Sequence, residues 1–216
     1  MIREVDINDI SDGRKYHAGD MVKIACNDCN GCSKCCHDMG SSIVLDPYDI
    51  YMLTNGLNKS FDELLAADEA YIELSMADGL LLPNIKMGSN NGCGFLNSNG
   101  RCSIHSYRPG ICRLFPLGRI YEEASFSYFN QIYECDYQAK SKVKIKKWLG
   151  IDNLKDYEAF VLKWHDYLND VRRAIDECSD FDMKSKIMTG LLKKFYKDSY
   201  NGDESFYEQF NRRIEI

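Results

Sequence analysis

Five of the ten cysteines fall within eleven positions, in CNDCNGCSKCC at 26–36, and Cys93, Cys102, Cys112, Cys135 and Cys178 follow at wider spacing. Thiols crowded in this way can form a disulfide framework, pack as small apolar groups, or hold a cation. Packing fits Cys29, Cys32, Cys35 and Cys36 poorly, because Asn27, Asp28, Asn30, Ser33 and Lys34 around them offer no apolar surface. Disulfides are rare in a reducing compartment, and clustered cysteines there are more often metal ligands or redox groups. A Cys-x2-Cys turn brings two sulfurs within reach of one ion. Structural zinc takes four such ligands in a tetrahedron, with Zn–S bonds of about 2.3 Å; iron–sulfur clusters are held by thiolates in similar number. Both chemistries fit these ligands. Cys178 continues an apolar helical stripe and reads as a small buried hydrophobe; Cys26 fits either role.

The run Cys26-x2-Cys29-x2-Cys32-x3-Cys36 also has the spacing of bacterial ferredoxins. His37 stands where that run has proline, however, and no second run supplies the second cluster, so a ferredoxin fold is not expected. The vicinal pair Cys35-Cys36 could cycle between thiol and disulfide if metal-free, provided its thiol pKa values are depressed.

The elements that must position these residues differ along the chain. VLDPYDIYMLTNG reads as a short helix with Asp46 as N-cap, Pro47 in the first position and Gly56 at the end. SFDELLAADEAYIELSM, where Ser60 followed by Glu63 is a capping-box signature, predicts a second helix. GLLLPNIKMG reads as extended. GCGFLNSNGRCSIHSY reads as a hairpin turning at Asn97–Gly100, and LGRIYEE and SFSYFNQIYE as two further strands. From residue 141 the pattern changes. Leu154, Tyr157, Val161, Trp164, Leu168, Val171, Ile175 and Cys178 recur at steps of three and four, predicting a helix of about 25 residues, roughly 37 Å long. Met183, Ile187, Leu191, Leu192 and Phe195 mark a second amphipathic helix, and DESFYEQFNRRIEI a short third. The expected fold is α+β: a small, loop-rich cysteine-cluster core with short strands and helices, plus a C-terminal helical hairpin. Residues 1–140 are read as the metal-binding domain and 141–216 as a helical extension packed on it.

Charge and hydropathy exclude several classes. The 216 residues carry a net charge of −6, which argues against general nucleic-acid binding. The short basic run KVKIKKW at 142–148 reads as a solvated helix start. No window approaches the roughly 18 apolar residues of a membrane span, and the N-terminal stretch lacks the apolar run of a signal peptide. A cytoplasmic protein is expected, and the richness in Lys, Asp, Asn, Ile and Tyr matches an AT-rich bacterial genome.

CNGCSKCC, then CGFLNSNGRCSIHSYRPGICRLFP, then a lone cysteine resembles the YkgJ-type CxxCxxCC cysteine-cluster family, whose members are described as zinc- or iron-chelating. Cys93, Phe95, Leu96, Cys102, Ile104, Arg108, Pro109, Cys112, Arg113, Phe115 and Pro116 match its pattern over roughly 26–136. His105 stands where tyrosine is common, and Cys135 sits in ECDYQ where Cys-Pro-Gly is common. The resemblance implies a ligand set of Cys29, Cys32, Cys35, Cys36, Cys93, Cys102, Cys112 and Cys135, enough for two four-thiolate sites or one composite centre. Neighbouring side chains such as Cys35 and Cys36 tend to point apart and suit sharing between two sites. Two zinc ions with four thiolates each would add −4 to an already acidic half. Arg108 and Arg113 are expected to orient the sulfurs and offset that charge.

Three readings follow. The first is a metal-binding protein holding zinc or iron, the iron as an iron–sulfur cluster. The second is a metal-dependent enzyme acting on a protein substrate, because one branch of the resembling family is similar to flagellin lysine N-methylase; no glycine-rich nucleotide loop after a strand supports it. The third is an interaction module in which zinc is structural and the helices bind a partner.

Overall fold

The computed structural model describes residues 6–26, 32–66, 71–135, 137 and 140–215. Cys29 therefore lies outside the described residues. The first elements are a single helical turn, α1 (Ile7–Ile10), and strand β1 (Met21–Ala25). Helix α2 (Pro47–Leu57) starts as the residues predict: Asp46 caps it in a reciprocal capping box with Asp49, and Pro47 takes the first position. The helix ends one residue beyond Gly56, on Asn58 in the left-handed conformation. Gly56 is needed inside the helix rather than at its end, because a Cβ there would lie 2.6 Å from the Tyr107 ring.

Helix α3 (Phe61–Ala66) begins with the expected box: Ser60 N donates to Glu63 Oε2 at 2.7 Å, and Glu63 N to Ser60 Oγ at 3.3 Å. The helix is shorter than the sequence predicts: Ile72–Ala77, expected within it, is a strand, β2, because it pairs antiparallel with β3 (Leu80–Ile85). The two are joined through Asp78 and Gly79, both at positive φ, a two-residue turn whose twist suits the paired strands. Helix α4 (Gly110–Leu114) leads into the predicted hairpin of β4 (Leu117–Glu122) and β5 (Ser125–Asn130). Strand β6 (Ser141–Lys144) pairs antiparallel with β1, and helix α5 (Ile145–Leu149) follows. Among the described residues the strands form three separate two-stranded ladders. The fold is α+β.

The C-terminal helices are α6 (Leu154–Glu177), α7 (Phe181–Leu192), which continues as a π turn over Lys193–Lys197, and α8 (Phe206–Ile214). The stripe read from the sequence is the buried face of α6: Tyr157, Val161, Trp164, Leu168 and Ile175 are all buried. Cys178 falls just past its end as the C-cap, half-buried, its Sγ 3.5 Å from the Asp180 carbonyl, and so is not a core residue. Phe160, Trp164, Phe195, Phe206 and Phe210 interlock across α6, α7 and α8 with ring centroids 4.7–6.2 Å apart. From α2, Tyr48 and Tyr51 pack on Phe206 at 5.1 and 5.3 Å. Tyr196 Oη donates to the Leu45 carbonyl at 3.1 Å. Residues on both sides of position 140 thus share one core. A second, smaller cluster joins Val22 and Ile24 of β1 to Leu114, Leu117, Tyr128, Ile145 and Leu149. The basic run lies here, with Ile145 and Leu149 turned inward and its lysines mostly exposed.

Candidate metal centre

The cysteine loops are joined to one another by backbone hydrogen bonds. Lys34–Cys36 form one 3-10 turn. Beside it, Cys93 N donates to the Cys36 carbonyl at 2.7 Å, and Asp38 N to the Asn91 carbonyl at 2.9 Å. The first cysteine loop is thereby zipped antiparallel to the segment carrying Cys93. Phe95, 2% exposed and stacked on Tyr71 at 4.9 Å, anchors that segment in the core. The expected hairpin is present in minimal form. Leu96 and Cys102 form a single bridge, and Asn97 N donates to the Arg101 carbonyl at 2.9 Å around a Gly100 at positive φ.

Buried Ile104, a 3-10 turn over His105–Tyr107 and Pro109 then set the start of α4, which carries Cys112. The first residue of α4 is locked in place: Gly110 N donates to Asp49 Oδ1 at 2.7 Å. Cys135 follows β5, and its carbonyl accepts from Lys140 Nζ at 2.5 Å.

These loops converge on one cavity of about 730 Å³. Cys26, Cys32, Cys35, Cys36, Cys93, Cys102, Cys112 and Cys135 all line it. Every predicted ligand that is described is therefore in its wall, joined by Cys26. Among the described residues no disulfide joins two cysteines. Nor does any group of three or more His, Cys, Asp or Glu side chains there stand in a ready-formed coordination set.

Cys35 and Cys36 do not point apart. Both line the same cavity, and Cys36 hydrogen-bonds to Cys35. A 3-10 turn advances 120° per residue rather than the near-opposite step of a strand, which leaves neighbours able to meet. The bond from Cys36 favours the Cys35 thiolate and brings its pKa down to about 7. The same bond raises that of Cys36, with burial adding to the effect. Burial also raises Cys93, Cys102, Cys112 and Cys135, and neighbouring sulfurs raise each further: Cys102 and Cys35 act on Cys93, Cys93 and Cys102 on Cys112, and Cys26 and Cys35 on Cys135. Such a set resists holding several negative charges by itself. A soft cation reverses the balance, since a coordinated thiol is deprotonated outright, and thiolates select zinc, cuprous copper and iron–sulfur clusters. The donor set fits zinc or iron.

The two arginines behave differently. Arg108 favours the thiolates of Cys35, Cys102 and Cys112, and it contacts His105. Arg113 instead braces the loop, donating to the Arg108 carbonyl at 3.0 Å and to the Ser106 carbonyl at 2.5 Å. His37 Nδ1 lies 2.9 Å from the Ser33 carbonyl, and its Nε2 edge faces Gly92 rather than the cavity.

The rest of the wall comes from α2, β4 and α6. Asp46 and Asp49 line it, and burial raises both carboxyls, Asp49 to about 6. Arg119 projects from β4, its guanidinium 5.4 Å from the Phe126 ring centroid and 5.8 Å from that of Tyr157. Neither residue group is conspicuous in the sequence: Asp46 reads as a helix cap, Asp49 as one charge within the helix it starts, and Arg119 as one charge in an aromatic strand.

A small α+β scaffold gathering thiols from separate segments into one cavity defines a cysteine-cluster metal-binding domain. The chain belongs to the CxxCxxCC family, whose model, described as "Putative zinc- or iron-chelating domain", matches residues 28–148. No curated protein and no solved structure matches the chain. No helix among the described residues is long and apolar enough to cross a membrane.

Proposed function

We propose that the protein holds zinc, or iron as an iron–sulfur centre, through the thiolates of Cys29, Cys32, Cys35, Cys36, Cys93, Cys102, Cys112 and Cys135, and that it works in the reducing environment of a cytoplasm. The single observation carrying this reading is the convergence of Cys32, Cys35, Cys36, Cys93, Cys102, Cys112 and Cys135 on one cavity from segments up to a hundred residues apart. The metal would neutralise sulfurs that burial and mutual repulsion otherwise keep protonated. Residues 1–140 supply the ligands in this reading, and the helices from 141 onward close the cavity.

Elemental analysis of protein purified without oxygen tests it. Zinc or iron is expected in stoichiometric amount, with Cys112→Ser lowering the content because Cys112 is held on α4, whose first amide is fixed by Asp49. A folded chain carrying neither element would overturn the proposal.

The size of the cavity favours a second reading, in which the centre is catalytic. Structural zinc sites are closed, whereas catalytic ones keep a position open, and the space beside these sulfurs far exceeds a metal ion. Methyl transfer to a protein lysine is the reaction the family resemblance points to. Calorimetry with S-adenosylmethionine addresses it directly, the absence of saturable heat removing methyl transfer from consideration.

A further inference from the structure

Among the described residues, three buried side-chain polar atoms have no hydrogen-bond partner: Ser42 Oγ, Arg108 Nε and Arg119 Nε. All three residues line the cysteine-lined cavity. Buried polar groups are satisfied in the great majority of cases, and leaving one unmet costs stability. Their gathering in one place marks a site where something else supplies the partners. The volume of about 730 Å³ lies within the roughly 300–1,000 Å³ of pockets that take small organic molecules.

The chemistry of the missing partner follows from what is already occupied. Asp49 Oδ1 accepts from Gly110 N at 2.7 Å and its Oδ2 from Asp46 N at 3.1 Å, while Asp46 Oδ1 accepts from Asp49 N at 2.8 Å. These carboxylates are committed to the backbone and are poor hosts for a cationic ligand. Arg172 is likewise committed, to the carbonyl and carboxylate of Asp78. Arg119 is different. The hydroxyls of Tyr121, Tyr128 and Tyr157 lie about it, Tyr157 Oη at 3.4 Å from its Nη2, and its charge acts on Asp46 and Asp49 from a distance, but it has no salt-bridge partner among the described residues and its Nε is unmet. A guanidinium edge matches a carboxylate in shape and charge. The nearby acidic pair disfavours a dianion such as phosphate, and the aromatic wall suits an organic body.

We propose that this cavity binds a small organic carboxylate, received by the Arg119 guanidinium beside the cysteine cluster. The site goes beyond metal binding, and it makes Arg119 a ligand-binding residue rather than a structural one.

Both tryptophans of the chain, Trp148 and Trp164, line the cavity, so their emission reports occupancy. The full-length chain, purified without oxygen, is titrated with sodium phenylacetate, with 2-phenylethanol and phenethylamine as the neutral and cationic counterparts. A saturable change with phenylacetate alone is expected, and Arg119→Gln should weaken it about tenfold or more, as loss of a charge-assisted hydrogen bond does. No saturable change with phenylacetate, or an equal response to the alcohol or the amine, overturns the proposal. Unchanged affinity in Arg119→Gln also overturns it, and assigns the carboxylate to the metal instead. Should that variant fail to fold, the wild-type comparison of the three probes decides alone. None of these readings depends on whether the cysteines carry zinc or iron, since the titration is repeated after chelation.

Discussion

At the residue scale, individual atoms decide how closely the cysteine loops approach the helical half. Gly110 is the tightest example. A Cβ at that position would lie 2.2 Å from Tyr157 Oη, so the Tyr157 ring, 1% exposed, or the start of α4 would have to shift. Gly110→Ala should therefore destabilise the fold by about 1–3 kcal/mol, as forcing extra volume into a tight contact does, and should also lower the metal content by displacing the helix that bears Cys112. Thermal unfolding and elemental analysis of the variant check both effects; an unchanged midpoint would mean that Tyr157 can yield. The vicinal thiols show a limit of local reasoning. Their spacing is plain in the sequence, but whether Cys35 and Cys36 diverge or meet depends on the turn around them, and Ser33-Lys34 does not announce a 3-10 geometry.

At the element scale, the capping pair of α2 does two jobs. Asp49 accepts from Asp46 N within the capping box and also accepts from the first amide of α4. Burial raises its pKa from 3.8 to about 6, with Asp46 raised in the same direction, chiefly by burial and then by the Asp49 charge. A carboxyl whose folded pKa exceeds its unfolded value binds its proton more tightly in the folded state. Its contribution to stability is thus complete below the unfolded value and is lost as pH rises through about 6. Asp49→Asn keeps the acceptor for Gly110 and removes the titration. The stability of wild type relative to that variant should fall as pH climbs through that window, measured by urea unfolding on either side of it; a difference that grows with pH would contradict the assignment. Much at this scale is legible in the sequence, because periodicity and caps are local signals. Asp46, Pro47, Ser60 and Glu63 foretell two helix starts, and the apolar steps from Leu154 foretell α6. Ile72–Ala77 reads as a continuation of the helix from Ser60 and is a strand instead, because its pairing with Leu80–Ile85 is a property of two segments together. Gly56 misleads for a similar reason: a tertiary neighbour, Tyr107, requires it within the helix.

At the scale of the whole molecule, the cavity is the product of both halves. The cysteines come from loops before residue 136, while Tyr157, Trp164 and Arg172 come from α6. The cysteine motif in the sequence identifies the first wall. Nothing in it identifies the second, since Arg119 of β4 and the α6 residues come to share a cavity with the cysteines only in the folded chain. The pairing of β1 with β6 carries a practical lesson for anyone wishing to cut the protein down. The first strand, at 21–25, finds its hydrogen-bonding mate at 141–144, and Val22 and Ile24 rest on Ile145 and Leu149. Scissors placed at residue 140 would strand those apolar side chains in water and strip one edge of the ladder ending beside Cys26. A fragment stopping there should precipitate or bind little metal, whereas the intact chain stays soluble; a monodisperse, metal-loaded 1–140 piece on gel filtration would show that the sulfurs need no help from beyond it.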